Sequence, residues 1–91
     1  MKKWEILFSD AAKEDLKKIA KKERKRIIEK LEWLQQNFER ISPSPLSHKW
    51  RGFFKLRIGK WRVIYKIHHK EAKIIIYLIG HRSRIYKRPK Q

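Results

Sequence analysis

The stretch Phe53-Phe54-Lys55-Leu56-Arg57-Ile58-Gly59-Lys60-Trp61-Arg62-Val63-Ile64-Tyr65-Lys66-Ile67 decides the fold. Apolar and basic residues alternate with period two, the alternation breaks once at Gly59-Lys60, and it then resumes. Alternation marks strands that bury one face, and two such runs separated by two residues, Gly first, predict a hairpin closed by a type II′ turn. That turn pairs Ile58 with Trp61, Arg57 with Arg62, Leu56 with Val63 and Lys55 with Ile64. One face then carries Phe54, Leu56, Ile58, Trp61, Val63 and Tyr65, and the other Phe53, Lys55, Arg57, Arg62, Ile64 and Lys66. Two arginines directly opposite each other repel. Such a face either holds its charges ready for an anion or is a solvated strand surface whose cations block edge-to-edge aggregation.

Downstream, His68 to Glu71 is polar and reads as a turn. Ala72 to Ile79 is almost wholly apolar, which predicts a central strand covered on both faces, ended by Gly80. In the tail from His81, a short helical turn would place Arg82 and Tyr86 on one face, with Pro89 stopping it. Upstream, Arg40 to Lys49 contains Pro43, Pro45 and three serines, the pattern of a loop. Before it, apolar residues recur at helical spacing in two groups, Ala12, Leu16, Ile19 and Ala20, then Ile27, Ile28, Leu31, Leu34 and Phe38. The stripe fails at Lys21 to Lys25, so two helices are expected, about 10–20 and 23–39, joined by a tight polar turn, with Ser9 or Asp10 as the cap. Lys3 to Phe8 predicts a first strand. The fold class is α+β: an N-terminal strand, a two-helix hairpin, then an antiparallel β-meander packed on the helices, in one domain over 1–91.

Charge narrows the function. The chain has 26 Lys and Arg against 9 Asp and Glu, a net of +17. Residues 1–39 hold eight acids and eleven bases, whereas residues 40–91 hold fifteen bases and Glu71 as the single acid. So one-sided a field favours nucleic acid as partner; an acidic protein or an anionic membrane surface would use the same charges. No apolar run approaches a membrane span. The N-terminus lacks the pattern of a signal peptide, and the absence of cysteine removes disulfides and thiolate chemistry, in keeping with a cytoplasmic protein.

Two groups of residues could carry chemistry. Lys55, Arg57 and Arg62, with Arg82 nearby if the last strand lies beside the third, suit a phosphate, because guanidinium offers a fixed fork of donors and stabilises charge developing at phosphorus. In the tail, His81 could move a proton near neutral pH and Tyr86 could stack on a base. Adjacent His68 and His69 point to opposite faces of a strand, so no metal site is expected. The helix carboxylates alternate with Lys in the manner of a solvated face. The tryptophans are expected in the core or at its rim, with Trp50 the one that could present a stacking surface.

At Lys55-Leu56-Arg57-Ile58-Gly59-Lys60-Trp61-Arg62-Val63-Ile64-Tyr65, and again at Gly80-His81-Arg82 followed by Ile85-Tyr86, the chain resembles the RelE/ParE superfamily of toxins from type II toxin–antitoxin systems. The predicted element order matches that RelE-like fold over nearly the whole chain. For the RelE-like branch, which the tail arginine and tyrosine favour, the resemblance implies a ribosome-dependent mRNA endoribonuclease. It uses no metal or other cofactor, and a cognate antitoxin neutralises it. Arg62, Arg82, Tyr86 and Lys55 match family catalytic positions. The cations and ring at Arg57, Lys66, His81, Arg84 and Lys87 are the expected RNA-binding residues. The best-known members carry a second lysine two positions before Lys55, where this chain has Phe53. The ParE branch, which poisons DNA gyrase, shares the hairpin motif. A basic RNA-binding module without catalysis is the third possibility.

Overall fold

The computed structural model describes residues 3–89. Its elements are β1 (Glu5–Phe8), α1 (Asp10–Lys18), α2 (Lys21–Asn37), β2 (Ser44–Pro45), β3 (Phe54–Ile58), β4 (Trp61–His68) and β5 (Lys73–His81), with 3-10 turns at Phe38–Arg40, His48–Trp50 and Ile85–Lys87. They form a five-stranded sheet in the order β1-β5-β4-β3-β2. The meander β3-β4-β5 is antiparallel, as expected. β1 returns to it through the two helices and pairs in parallel with β5, Glu5 opposite Lys73 and Phe8 opposite Ile76.

The hairpin has the predicted register, with Arg57 opposite Arg62 and Ile58 opposite Trp61. Gly59 has φ +58 and Lys60 has no positive φ, as a type II′ turn requires. The two faces separate as the alternation predicts. Val63 and Tyr65 enter a core with Ala12, Ile19, Ile27, Leu31, Leu34, Phe38, Ile74, Ile76 and Ile79, so both helices cover this face. Ile64 enters a smaller core on the opposite face with Trp50, Phe53, Leu78 and Ile85. That face is therefore only partly cationic: its base is closed by the loop before β3 and by the tail. Trp50 is 4% exposed and packs edge-on to Phe53, so it presents no stacking surface.

β5 is covered on both faces, but a bulge makes this possible. Tyr65 pairs with Ile76 and Ile64 with Leu78, leaving Tyr77 unmatched. The bulge inverts the alternation: Ile74 and Ile76 face the helices before it, and Ile79 does so after it, while Leu78 faces the second core. Gly80 does not end the strand, which continues to His81; Ala72, at φ +54, belongs to the preceding turn.

Other expectations are corrected. The helices part at Ile19-Ala20, not at the polar stretch: Ile19 leaves helical geometry at φ −90, ψ 137, and Lys21 to Lys25 open α2. Ile19 is buried, so core packing sets the break. Ser9 is the cap, accepting from the Ala12 N–H at 3.0 Å. Its hydroxyl also donates to the Tyr77 carbonyl at 2.7 Å, tying α1 to the bulge. The loop contains a short edge strand, β2, pairing Ser44 with Lys55 and Pro45 with Phe54, where an edge position tolerates proline. No helical turn joins Arg82 to Tyr86; the tail turns at 82–84 and only Ile85–Lys87 coils. Among the described residues no helix is long and apolar enough to cross a membrane.

Candidate functional site

The site is built on the tip of the β3-β4 hairpin, because period-two alternation and the II′ turn bring Arg57 and Arg62 face to face there. Arg62 is half-buried, and its Nη1 donates to the carbonyls of Gly59 and Trp61, both at 2.8 Å. The turn thus aims the guanidinium while Nη2 and Nε make no bond to the described residues. No acid occurs anywhere in β3 or β4, so the charge is not neutralised from within the hairpin.

The tail is stitched to the same tip. The Arg82 N–H donates to the Lys60 carbonyl at 2.8 Å, and Gly80 lies opposite Arg62. Gly80 lies close under Ile85: a Cβ there would sit 2.9 Å from Ile85 Cδ1, so the close seat of Ile85 on β5 depends on a missing side chain. These contacts place Arg57, Arg82 and His81 around one cleft of about 510 Å³, together with Glu23, Arg26, Gly59, Lys60 and Trp61. His81 Nδ1 accepts from the Ser83 N–H at 3.2 Å and lies 2.8 Å from Ser83 Oγ. An accepting Nδ1 puts the proton of the neutral ring on Nε2, making that atom a donor. The ring stands edge-on to Trp61 at 5.9 Å.

The remaining sequence candidates are placed apart. Lys55 is exposed and shares a neighbouring groove with Arg57, Trp33 and Ile41. Lys66 places its Nζ 4.8 Å from the centroid of the Phe53 ring. Phe53 is a core residue, 3% exposed, with the cation of the adjacent strand over its ring. Arg84 faces an adjoining cleft with Asp15, Lys18 and Arg88, divided from the first by Trp61 and His81, which line both, and Lys87 is exposed. Tyr86 packs against the second core; its hydroxyl is enclosed without a hydrogen-bond partner, and its carbonyl accepts from the Trp50 indole at 3.3 Å. Among the described residues no group of three His, Asp or Glu side chains could hold a metal ion.

Sequence reasoning missed three carboxylates. Asp15 Oδ2 accepts from the Ile79 N–H at 2.9 Å and from Arg88 Nη1 at 2.8 Å, fastening α1, β5 and the tail together. Glu23 accepts from the Trp61 indole at 2.9 Å, and Glu39 from the Trp4 indole at 2.8 Å. On the helices these acids look like members of a solvated Glu/Lys pattern. Only their long-range partners distinguish them, and no local signal could have found them.

Comparison with known proteins bears on this arrangement. The family model described as the ParE toxin of the type II toxin–antitoxin system parDE matches residues 6–86. No curated protein matches the sequence significantly. Among solved structures, the RelBE2 toxin–antitoxin complex of Mycobacterium tuberculosis superposes with a TM-score of 0.77 at 25% identity, covering 87% of this chain and 98% of that one. The isolated RelE toxin of E. coli gives 0.72 at 17% identity, with 92% of each chain covered. The archaeal RelE–RelB complex of Pyrococcus horikoshii gives 0.71 at 18%, covering 91% of this chain and 99% of that one. With the family model spanning both the hairpin and the tail, the chain belongs to the ParE toxin family of type II toxin–antitoxin systems and has a RelE-like fold.

Proposed function

We propose that this toxin is a ribosome-dependent mRNA endoribonuclease that stops translation, works without a metal, and is held in check by a cognate antitoxin covering its basic surface in the cytoplasm. The observation that carries the reading is the hairpin tip: two opposed arginines on acid-free strands, with the Arg82 backbone tied to the same turn.

The reaction such a surface suits is transesterification within RNA. The 2′-oxygen attacks the adjacent phosphorus and the bond to the 5′-oxygen breaks, giving a cyclic phosphate and a 5′-hydroxyl. The 2′-hydroxyl loses a proton and the leaving 5′-oxygen gains one. Arg62 and Arg82 hold the scissile phosphate and stabilise the added negative charge on its oxygens, an effect strengthened because Arg62 is already oriented by two carbonyls. Lys55 and Arg57 steer the RNA and assist loss of the 2′ proton. Lys66, His81, Arg84 and Lys87 extend the contact to the backbone. Tyr86 orients a base or shares the proton transfer. Its hydroxyl is enclosed, which leaves the partly exposed ring to meet a base.

Primer extension on a translated mRNA tests the proposal. The native protein should produce new ends bearing 5′-hydroxyls, and Arg62→Ala or Arg82→Ala should abolish them while unfolding cooperatively like the parent. Full cleavage by both variants removes these roles. A second reading, inhibition of DNA gyrase, is favoured by the ParE identity of the matching family model. Loss of supercoiling activity at concentrations that leave mRNA intact would establish it instead. RNA binding without new ends would reduce the protein to a non-catalytic module.

A further inference from the structure

Arg26 lies on α2, in a stretch whose sequence reads as a solvated face. In the fold it reaches the hairpin tip. A Cβ on Gly59 would be 3.4 Å from Arg26 Nη2 and 3.9 Å from Nη1, so the guanidinium closes on a turn that has no side chain to push it away. Arg62 donates to the carbonyl of the same glycine. The turn is therefore flanked by two guanidiniums from different elements.

Arg26 shares its cleft with Arg57, Lys60 and Arg82. None of these three has an acidic partner among the described residues. The one acid in the lining, Glu23, stands 3.9 Å from Arg26 Nη1, a long and exposed pair that contributes little. Its Oε2 is the atom that accepts the Trp61 indole. Four cations from α2, β3, the turn and the tail thus line one cleft that holds a single acid.

We propose that the α2 side of this cleft, bounded by Arg26 and Lys60, is a second phosphate subsite beside the one at Arg82, that Arg26 is its ligand, and that Glu23 limits its affinity. The occupant is a phosphodiester of single-stranded RNA flanking the scissile one. Guanidinium forks match phosphate oxygens, and the Trp61 and His81 rings, with the His81 Nε2 donor, line the wall where the attached nucleotide would lie. The inference rests on the RNA-cleaving reading and extends it to a helix residue.

The test is equilibrium binding of a short single-stranded RNA carrying 2′-O-methyl groups, which cannot be cut, across a series of salt concentrations. Arg26→Gln should bind several-fold more weakly, and its slope of log affinity against log salt should shrink by about 0.7, the loss of one phosphate contact. Glu23→Gln keeps an oxygen to accept the Trp61 indole and removes the negative charge, so it should bind more tightly than the parent. An unchanged slope for Arg26→Gln, or no gain for Glu23→Gln, overturns the subsite and leaves cleavage to be judged by primer extension alone. Failure of the native protein to bind the RNA overturns the subsite, while primer extension on translated mRNA still decides the cleavage reading. A polyglutamate peptide serves as the second probe. If Arg26→Gln loses that peptide but not the RNA, the cleft is a site for acidic polypeptide and the proposal falls.

Discussion

Gly80→Ala tests how the tail is seated. Gly80 has no positive φ, so the backbone accepts alanine, and replacing glycine in a strand should by itself gain about 0.5–1 kcal/mol. The new methyl, however, would lie 2.9 Å from Ile85 Cδ1, well inside the contact distance of about 3.5–4.0 Å for carbon atoms. Ile85 is wholly buried in a core with Trp50, Phe53, Ile64 and Leu78, so it has nowhere free to turn. Overpacking of this kind costs roughly 1–3 kcal/mol. The net loss should be about 1 kcal/mol, equivalent to a fall in melting temperature of roughly 4–8 °C for a domain of this size. The informative partner is Ile85→Val, which removes the clashing Cδ1 and alone costs about 0.5–1.5 kcal/mol. In that background the next atom, Ile85 Cβ, is at an ordinary 3.6 Å, so adding Gly80→Ala should be neutral or stabilising. Urea denaturation of the four proteins closes a double-mutant cycle. Additive effects, or a Gly80→Ala single variant more stable than the parent, would refute the steric account.

Two further expectations concern groups away from the hairpin tip. Asp15→Ala leaves the Ile79 N–H without its acceptor and Arg88 with only its 3.5 Å contact to the Ile79 carbonyl, and should cost about 1–3 kcal/mol, whereas Arg88→Ala keeps the Ile79 bond to Asp15 and should cost clearly less; equal losses in urea titrations would show that the tail contact dominates. Burial pushes the Tyr65 hydroxyl up to about 12 from an ordinary 10, so the unfolded chain ionises first as pH rises. Its contribution is intact below pH 10 and lost between 10 and 12, at about 1.4 kcal/mol per pH unit. The stability of Tyr65→Phe relative to the parent should therefore increase across that window, and parallel curves would contradict the desolvated environment.

The hairpin was legible because its information is local. Alternation over Phe53 to Ile67, one Gly-Lys break and the geometry of a two-residue turn are enough to set register, and register alone sets Arg57 against Arg62. The helices were legible for the same reason, through apolar spacing and the Ser9 cap. Their junction was not, because Ile19 leaves the helix where it is buried, at a point that carries no Gly or Pro. The bulge at Tyr77 was hidden inside an unbroken apolar run, in which every register reads alike. The edge strand at Ser44–Pro45 is too short to leave a pattern.

For the candidate site the division is similar. The residue types, their surplus of positive charge and the facing of Arg57 and Arg62 follow from sequence, since charge is counted and strand pairing is periodic. Which cations share a cleft does not follow. Arg26 and Glu23 reach the hairpin tip only because α2 packs across the sheet, Arg82 because its N–H finds the Lys60 carbonyl, and Arg84 is sent to another cleft by the intervening turn. Phe53 and Trp50 look available in the sequence and are buried in the fold, because tail and loop close over the second face of the sheet. Sequence by itself determined the first strand, the two helices, the meander and the sign of the surface, through interactions spanning a few residues. The tertiary structure decided which charges share a cleft and which distant donors Asp15, Glu23 and Glu39 accept from, because those hydrogen bonds join residues 35 to 73 positions apart, where no local periodicity reaches.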